Sequence, residues 1–388
     1  EELRVYDHKS MPNSVELNNG ANIIRTDDYS VNVFDKDRKT FSSNILLPAI
    51  GYNPDDGFKI GLQNVYTVNG FRRNPFTARH LVGVGYFFGT NGFDIHYDGE
   101  FANVTTNFNL AISARYTSPN YTQNYFGMGN ESFNPDEELG KDYNRMRLSQ
   151  IGGEVGLVRE SPFGSFFRYV ATFEGIRVEP TEDRFIVEDF TTNPEFFERK
   201  YFAGLEGTYK YESYDYELNP TRGMKFELEV GGKMNTTETD RKYAYVNPYL
   251  EFYNALSTNR KWVLNSRVQA DFNIGHDFEF YQAATLGGDN GLRGYRTERF
   301  SGKTAFSAGW DLRYSFDQFQ TNFLPFQIGV FAGYDIGRVW TDFQESRVWH
   351  DSYGGGLWVT SARAISGTFN LFSGSEGVRF SFGFGFSF

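Results

Sequence analysis

From about residue 41 to its end the chain alternates apolar and polar residues with a period of two, and this narrows the possible folds sharply. Met224, Phe226, Leu228 and Val230 interleave with Lys225, Glu227 and Glu229, and Phe93 to Phe101 reads the same way. Between Trp262 and Ile274 one face carries Trp262, Leu264, Val268, Ala270, Phe272 and Ile274, the other Asn265, Arg267, Gln269, Asp271 and Asn273. The chain closes on Phe380, Phe382, Phe384, Phe386 and Phe388 against Arg379, Ser381, Gly383, Gly385 and Ser387. Successive side chains on a strand point to opposite faces, so each stretch reads as a β-strand with one greasy and one wet face.

A soluble sandwich alternates too, so strand length and face chemistry must decide. A strand that crosses a bilayer needs about 9–11 tilted residues, whereas soluble strands average about 5–6. Most segments here run to 11 residues or more, with charges in mid-strand on the polar face, which suits a water-filled lumen. The apolar faces end in Tyr, Trp and Phe, as lipid-facing girdles do. Composition closes other routes. No apolar run approaches the roughly 18 residues of a membrane helix, although 41 Phe and 25 Tyr make disorder untenable. The chain has no Cys, hence no disulfide framework, and its net charge of -11 argues against nucleic acid as a partner.

Sixteen segments emerge: 41–51, 57–68, 77–89, 92–103, 105–117, 146–160, 164–178, 200–212, 222–235, 242–256, 261–274, 303–317, 324–340, 352–363, 364–374 and 376–388. Length alone would suggest about two domains, but no linker divides residues 41–388. The long gaps, 118–145, 179–199, 275–302 and 341–351, all follow odd-numbered segments. Outer-membrane barrels place long external loops and short periplasmic turns on alternate connections. The expectation is therefore one sixteen-stranded antiparallel transmembrane outer-membrane β-barrel, all-β, with both termini periplasmic. Residues 1–40 are polar and lack sustained periodicity, and read as an N-terminal extension or the tail of an upstream domain.

Catalytic templates come up empty. The five histidines, His8, His80, His96, His276 and His350, have no metal-ligand spacing. Ser301-Gly302-Lys303-Thr304 ends like a phosphate loop, but Thr297 stands where the earlier Gly is required. No cofactor or metal is expected, and no covalent chemistry. One loop stands out, Leu286-Gly287-Gly288-Asp289-Asn290-Gly291-Leu292-Arg293-Gly294-Tyr295. Its plain reading is an exposed turn-rich loop. Parity in the next two strands supports a sharper one. With Phe306, Ala308, Trp310, Leu312 and Tyr314 facing lipid, Asp311 faces inward, and with Phe326, Ile328, Val330, Ala332 and Tyr334 outward, so does Asp335. A loop folded into the lumen could set Arg293 between those carboxylates as a charge-assisted clamp.

These residues, with Asp335-Ile336-Gly337-Arg338-Val339-Trp340, resemble the bacterial surface antigen barrel family. That family holds the central subunit of the β-barrel assembly machinery, the translocation-and-assembly subunit and the two-partner secretion transporters. The resemblance implies an inward-folded sixth external loop with its tip at Leu292, Arg293, Gly294 and Tyr295, whose Arg contacts acidic partners at Asp311 and Asp335. Asn219-Pro220-Thr221-Arg222-Gly223 and Pro48-Ala49-Ile50-Gly51-Tyr52 also look familial. The family normally carries periplasmic POTRA domains of about 75–80 residues, for which residues 1–40 are too short.

Pro48 removes a ladder donor from the first strand, and Gly383 and Gly385 weaken the last. Edge irregularity is the plain reading, and a seam that opens to template a client strand is the one the resemblance implies. Phe384, Phe386 and Phe388 resemble the C-terminal signal by which such barrels are themselves assembled. The implied function is insertion of proteins into, or translocation across, the outer membrane. Implied partners are outer-membrane lipid, client outer-membrane proteins and accessory periplasmic or lipoprotein subunits. Two alternatives stay open: a membrane anchor for a fused N-terminal domain, such as a metallophosphoesterase or patatin-like hydrolase, and a passive pore.

Overall fold

The computed structural model describes residues 4–16, 21–27, 41–53, 57–70, 75–105, 108–161, 163–190, 194–322, 324–361 and 365–386. Its strands are β1 (Ser43–Asn53), β2 (Gly57–Val68), β3 (Ala78–Phe87), β4 (Gly92–Thr105), β5 (Phe108–Thr117), β6 (Arg145–Glu160), β7 (Ser165–Glu179) and β8 (Lys200–Glu212). They continue as β9 (Gly223–Asn235), β10 (Lys242–Ala255), β11 (Trp262–Ile274), β12 (Thr304–Ser315), β13 (Pro325–Trp340), β14 (His350–Ser361), β15 (Ile365–Gly374) and β16 (Gly377–Phe386). Each pairs antiparallel with its neighbours in chain order, and β16 returns to β1, so the sheet is a closed 16-strand barrel. Closure gives every strand of the wall a neighbour on both sides, the condition for spanning a bilayer with strands.

Burial is inverted relative to a soluble protein. Leu205, Val155 and Phe173 are exposed, whereas Asp335, Asn265 and Ser307 are buried. An exposed apolar surface of this extent on a closed wall is a lipid contact. Among the described residues no helix is long and apolar enough to cross a membrane.

An even number of antiparallel strands brings Ser43 and Phe386 to the same, short-turn end of the barrel. The opposite, long-loop end is capped. Residues Thr122–Asn124 add a short strand on β6, and two single-turn helices, α1 (Asp136–Leu139) and α2 (Phe185–Asp189), sit in the third and fourth long-loop-end connections. Tyr125, Met146, Leu148, Ile176, Val178, Ile186, Phe196 and Phe280 form an apolar core inside this cap. Phe190 stacks on Phe196 with ring centroids 3.7 Å apart. Burial pushes the Tyr125 phenol well above its ordinary pKa, and the Asp189 carboxylate, 3.5 Å from the hydroxyl, adds to the shift.

Within the N-terminal extension, Arg4–Asp7 pairs in parallel with Asn22–Arg25 as a two-stranded sheet apart from the barrel. Periodicity could not reveal so short a pair. Phe388 lies outside the described residues, as does the side chain of Phe386.

Candidate functional site

The segment joining β11 to β12 is drawn together at its base by a short ladder between Ala284–Leu286 and Phe300–Gly302. Leu286, Leu292, Tyr295 and Phe300 then pack with Ala305 of β12 and Val339 of β13. Leu292 and Tyr295 are 0% and 1% exposed. Full burial of side chains this size stabilises by about 1.5–3 kcal/mol each, enough to fix the short span between them, which holds Arg293.

Arg293 meets both carboxylates. Its Nε donates to Asp335 Oδ2 at 2.9 Å, and its Nη2 donates to Asp335 Oδ1 and Asp311 Oδ1, each at 2.7 Å. Its Nη1 donates to Asp311 Oδ2 at 3.2 Å and its backbone N–H to Asp335 Oδ2 at 3.2 Å. A second guanidinium completes the cluster. Arg267 of β11 donates to Asp311 Oδ2 at 2.8 Å and to Asp335 Oδ1 at 2.6 Å. Ser352 Oγ of β14 donates to Asp335 Oδ2 at 3.2 Å. Two arginines and two aspartates therefore cancel, and Asp335, 0% exposed, has both oxygens saturated. A buried carboxylate is tolerable only when paired and hydrogen-bonded in this way.

Strand register explains why the cluster forms here. One row across the wall reads Arg267, Gly309, Asp335, Ser352. The next reads Asn265, Asp311, Gly333, Gly354, Phe372. Gly333 and Gly354 open a hollow between Asp311 and Phe372, and the Arg293 guanidinium lies in it, 3.9 Å from the Phe372 ring centroid. A Cβ on Gly333 would sit 2.7 Å from Arg293 Nη2. At the tip, a Cβ on Gly294 would meet Ser352 Cβ at 2.6 Å and the Gly374 nitrogen at 2.7 Å. Only glycine lets the tip approach β14 and β15 so closely.

Two further arginines continue the same spacing. Arg296 donates to Asp136 Oδ1 and Asn124 Oδ1, each at 2.6 Å. Arg299 donates to Glu376 at 2.7 Å and to the Ser132 hydroxyl at 2.8 Å. Burial pulls the Arg299 guanidinium below its usual pKa, opposed by Glu376, and an arginine stays charged throughout. Tyr295 Oη lies 3.0 Å from Ser375 Oγ. The segment is thus tied to the β5–β6 connection and to the β15–β16 turn.

The β1–β16 seam is the contrast. Among the described residues its ladder runs from Phe382–Tyr52 through Gly383–Gly51 to Phe384–Ile50, two residues short of Pro48. The β6–β7 ladder runs from Phe166–Glu160 to Glu179–Arg147. Gly385 pairs with Ser366 of β15 on its other side. Tyr52 stacks on Phe382 with centroids 6.1 Å apart, so much of the seam contact is aromatic.

The sequence matches the Omp85 superfamily domain over residues 87–388. The chain belongs to the Omp85 superfamily. Two kinds of solved structure share the fold of this Omp85 barrel. BamA from Haemophilus ducreyi lacking POTRA domains 1-3 superposes with a TM-score of 0.65 at 15% identity, covering 90% of this chain and 71% of that one. CdiB from Escherichia coli gives 0.60 at 10% identity over 88% of this chain and 63% of that one. CdiB from Acinetobacter baumannii gives 0.55 at 12%, over 90% and 60%. The Omp85 chain thus spans less than two thirds of either CdiB chain.

At the short-turn end of the Omp85 barrel, Asp215 accepts the backbone N–H groups of Tyr216, Thr221 and Arg222 and the Thr221 hydroxyl. This organises the β8–β9 turn so that Asn219 Oδ1 accepts from Arg313 Nη2 at 2.5 Å. Arg267, Ser352, Phe372, Arg296 and Arg299 were not singled out as site residues from sequence. The parity of β11 already turned Arg267 inward, but only register shows that it shares Asp335 with Arg293. Arginines at 293, 296 and 299 in an acidic chain were a signal for the other two.

Proposed function

We propose that this Omp85 barrel inserts proteins into the outer membrane, or moves them across it, by lending the edges of its β1–β16 seam to a client strand. The observation that carries this reading is the contrast within one wall. From β11 to β14 the strands are tied by the Arg267, Arg293, Asp311 and Asp335 cluster, whereas β1 and β16 share a short ladder beside Pro48. Opening then costs least at the seam, and a strand freed there can pair with an incoming one through its backbone.

In this reading the long-loop end faces the cell exterior and both chain ends are periplasmic. The 275–303 segment is the inward-folded sixth external loop, with Leu292, Arg293, Gly294 and Tyr295 as its pinning tip. Pro48, Gly383 and Gly385 set the gate. Phe384, Phe386 and Phe388 serve the barrel's own assembly, and accessory periplasmic or lipoprotein subunits deliver clients to the short-turn end.

The test is reconstitution of the full-length protein in phosphatidylcholine vesicles with a denatured outer-membrane barrel as client. Protease-resistant client should appear at least about tenfold faster than in empty vesicles, equivalent to about 1.4 kcal/mol off the barrier. Equal rates would favour the second reading, a barrel that anchors an N-terminal domain. The parallel pair Arg4–Asp7 and Asn22–Arg25, a sheet separate from the barrel sheet, is the observation that favours that reading.

A further inference from the structure

Near the long-loop end, the lipid-facing wall gathers positive charge on β6, β7 and the approach to β8. On β6 and β7 odd-numbered side chains point outward, as the exposed Ile151, Val155, Tyr169 and Phe173 show. Their even-numbered neighbours Met146, Leu148, Ile176 and Val178 are buried in the cap core. The same parity turns Arg147 of β6 and Arg177 of β7 outward. Arg199, the residue before β8, joins them: its Nη2 donates to Ser149 Oγ at 2.8 Å and its Nη1 to the Gly175 carbonyl at 3.0 Å. In the β6–β7 ladder Ser149 is opposite Arg177, and Arg147 is opposite Glu179. Glu179 lies 3.7 Å from Arg177 Nε, and the Arg177 side chain is still 47% exposed. Arg147, Arg177 and Arg199 thus lie beside Glu179, and Arg145, next outward on β6, is paired with Asp142 at 2.7 Å, on a chain whose net charge is -11.

Its height matters as much as its sign. Phe173 and Tyr201 stack on the lipid face with centroids 5.8 Å apart. Arg177 follows Phe173 by four residues, about 13 Å along the strand at roughly 3.3 Å per residue, and less along the membrane normal because strands tilt. Measured from that stack as the aromatic girdle, Arg177 falls at headgroup level, where an arginine on a barrel's lipid face costs about 0–1 kcal/mol instead of the roughly 2–4 of the midplane. Its guanidinium fork matches phosphate oxygens in pairs. Arg338, also outward near this end, is already occupied by the Ser346 carbonyl and by the faces of Trp340 and Trp349 at 4.6 and 5.5 Å.

We propose that Arg147, Arg177 and Arg199 bind the phosphate of a phosphorylated lipid headgroup in the outer leaflet. The inference rests on the long-loop end facing the exterior. Bound lipid would bridge β6, β7 and the approach to β8, a wall distant in the strand order from the seam, and would hold that side of the barrel at fixed depth.

The test places the folded wild-type chain and the Arg147→Gln/Arg177→Gln/Arg199→Gln variant in phosphatidylcholine vesicles doped with diphosphorylated lipid A, dephosphorylated lipid A or phosphatidylglycerol. Lipid retained after extraction is counted by native mass spectrometry. Diphosphorylated lipid A should be enriched on the wild type, with at least about a tenfold loss in the variant, as about 1.4 kcal/mol of binding requires. Equal enrichment of the dephosphorylated lipid, or an unchanged variant, would overturn the proposal. So would displacement by millimolar inorganic phosphate, which marks a free-anion site, or equal enrichment of phosphatidylglycerol, which removes the outer-leaflet source. If the triple variant fails to fold, Arg177→Gln alone at its half-exposed position should show a smaller loss in the same direction. Client insertion in undoped phosphatidylcholine is measured in parallel. It should be equal in both proteins, so a failure of the insertion reading stays separate from a failure of the lipid site.

Discussion

Arg293 holds its place because small and aromatic neighbours leave a slot for it and two carboxylates compete for it. Removing it strands Asp311 and Asp335 on Arg267 alone, and breaking a buried pair in this way costs about 3–5 kcal/mol. Arg293→Ala should therefore lower the temperature at which the barrel unfolds in heat-modifiability gels, and speed protease cleavage between residues 275 and 303. If neither changes, the clamp has no structural role. Arg293→Lys keeps the charge but loses the fork and should fall between the two. Gly333→Ala should mimic the loss by pushing a methyl into the guanidinium slot. Parity alone turned Asp311 and Asp335 inward, and motif resemblance pointed at Arg293. Phe372 and Ser352 were illegible because they come from strands whose register no local pattern specifies.

At the scale of strands and loops, alternation located every barrel strand to within a few residues, since each has one face in lipid and one in water. Segment 303–317, for example, became Thr304–Ser315. The cap resisted reading. The turns at Phe185–Asp189 and Pro194–Phe197 are too short for a 3.6-residue period, and their Phe196 is buried, with Phe185 and Phe197 half-buried, against partners that include Tyr125 and Phe280 of other loops. The seam is the element that sequence specifies least, because Pro48, Gly383 and Gly385 lie in strands that each pair with another neighbour as well. The structure makes a kinetic prediction for it. Amides of residues 43–47 and 49 that point toward β16, where no pairing exists among the described residues, should exchange with deuterium far faster than those of β6 and β7, read by hydrogen-exchange mass spectrometry in micelles. Equal protection would mean a seam as firm as the rest of the wall.

The whole barrel combines a pinned β11–β12 segment, a capped long-loop end and, among the described residues, a β1–β16 ladder of three residue pairs. Single-channel recording separates this from a passive pore: wild type should pass little steady current in a planar bilayer, and deletion of residues 278–299 should open a large one. A large steady wild-type current would mean the segment does not block the lumen. The seam itself can be tested by a lock. The chain has no cysteine, Gly51 and Gly383 face each other across the ladder, and a Cβ on Gly383 meets nothing within 4 Å. The full-length Gly51→Cys/Gly383→Cys protein, reconstituted with a denatured barrel client, should lose insertion activity on oxidation and regain it on reduction. The same insertion rate with the disulfide closed would contradict a gate at β1 and β16.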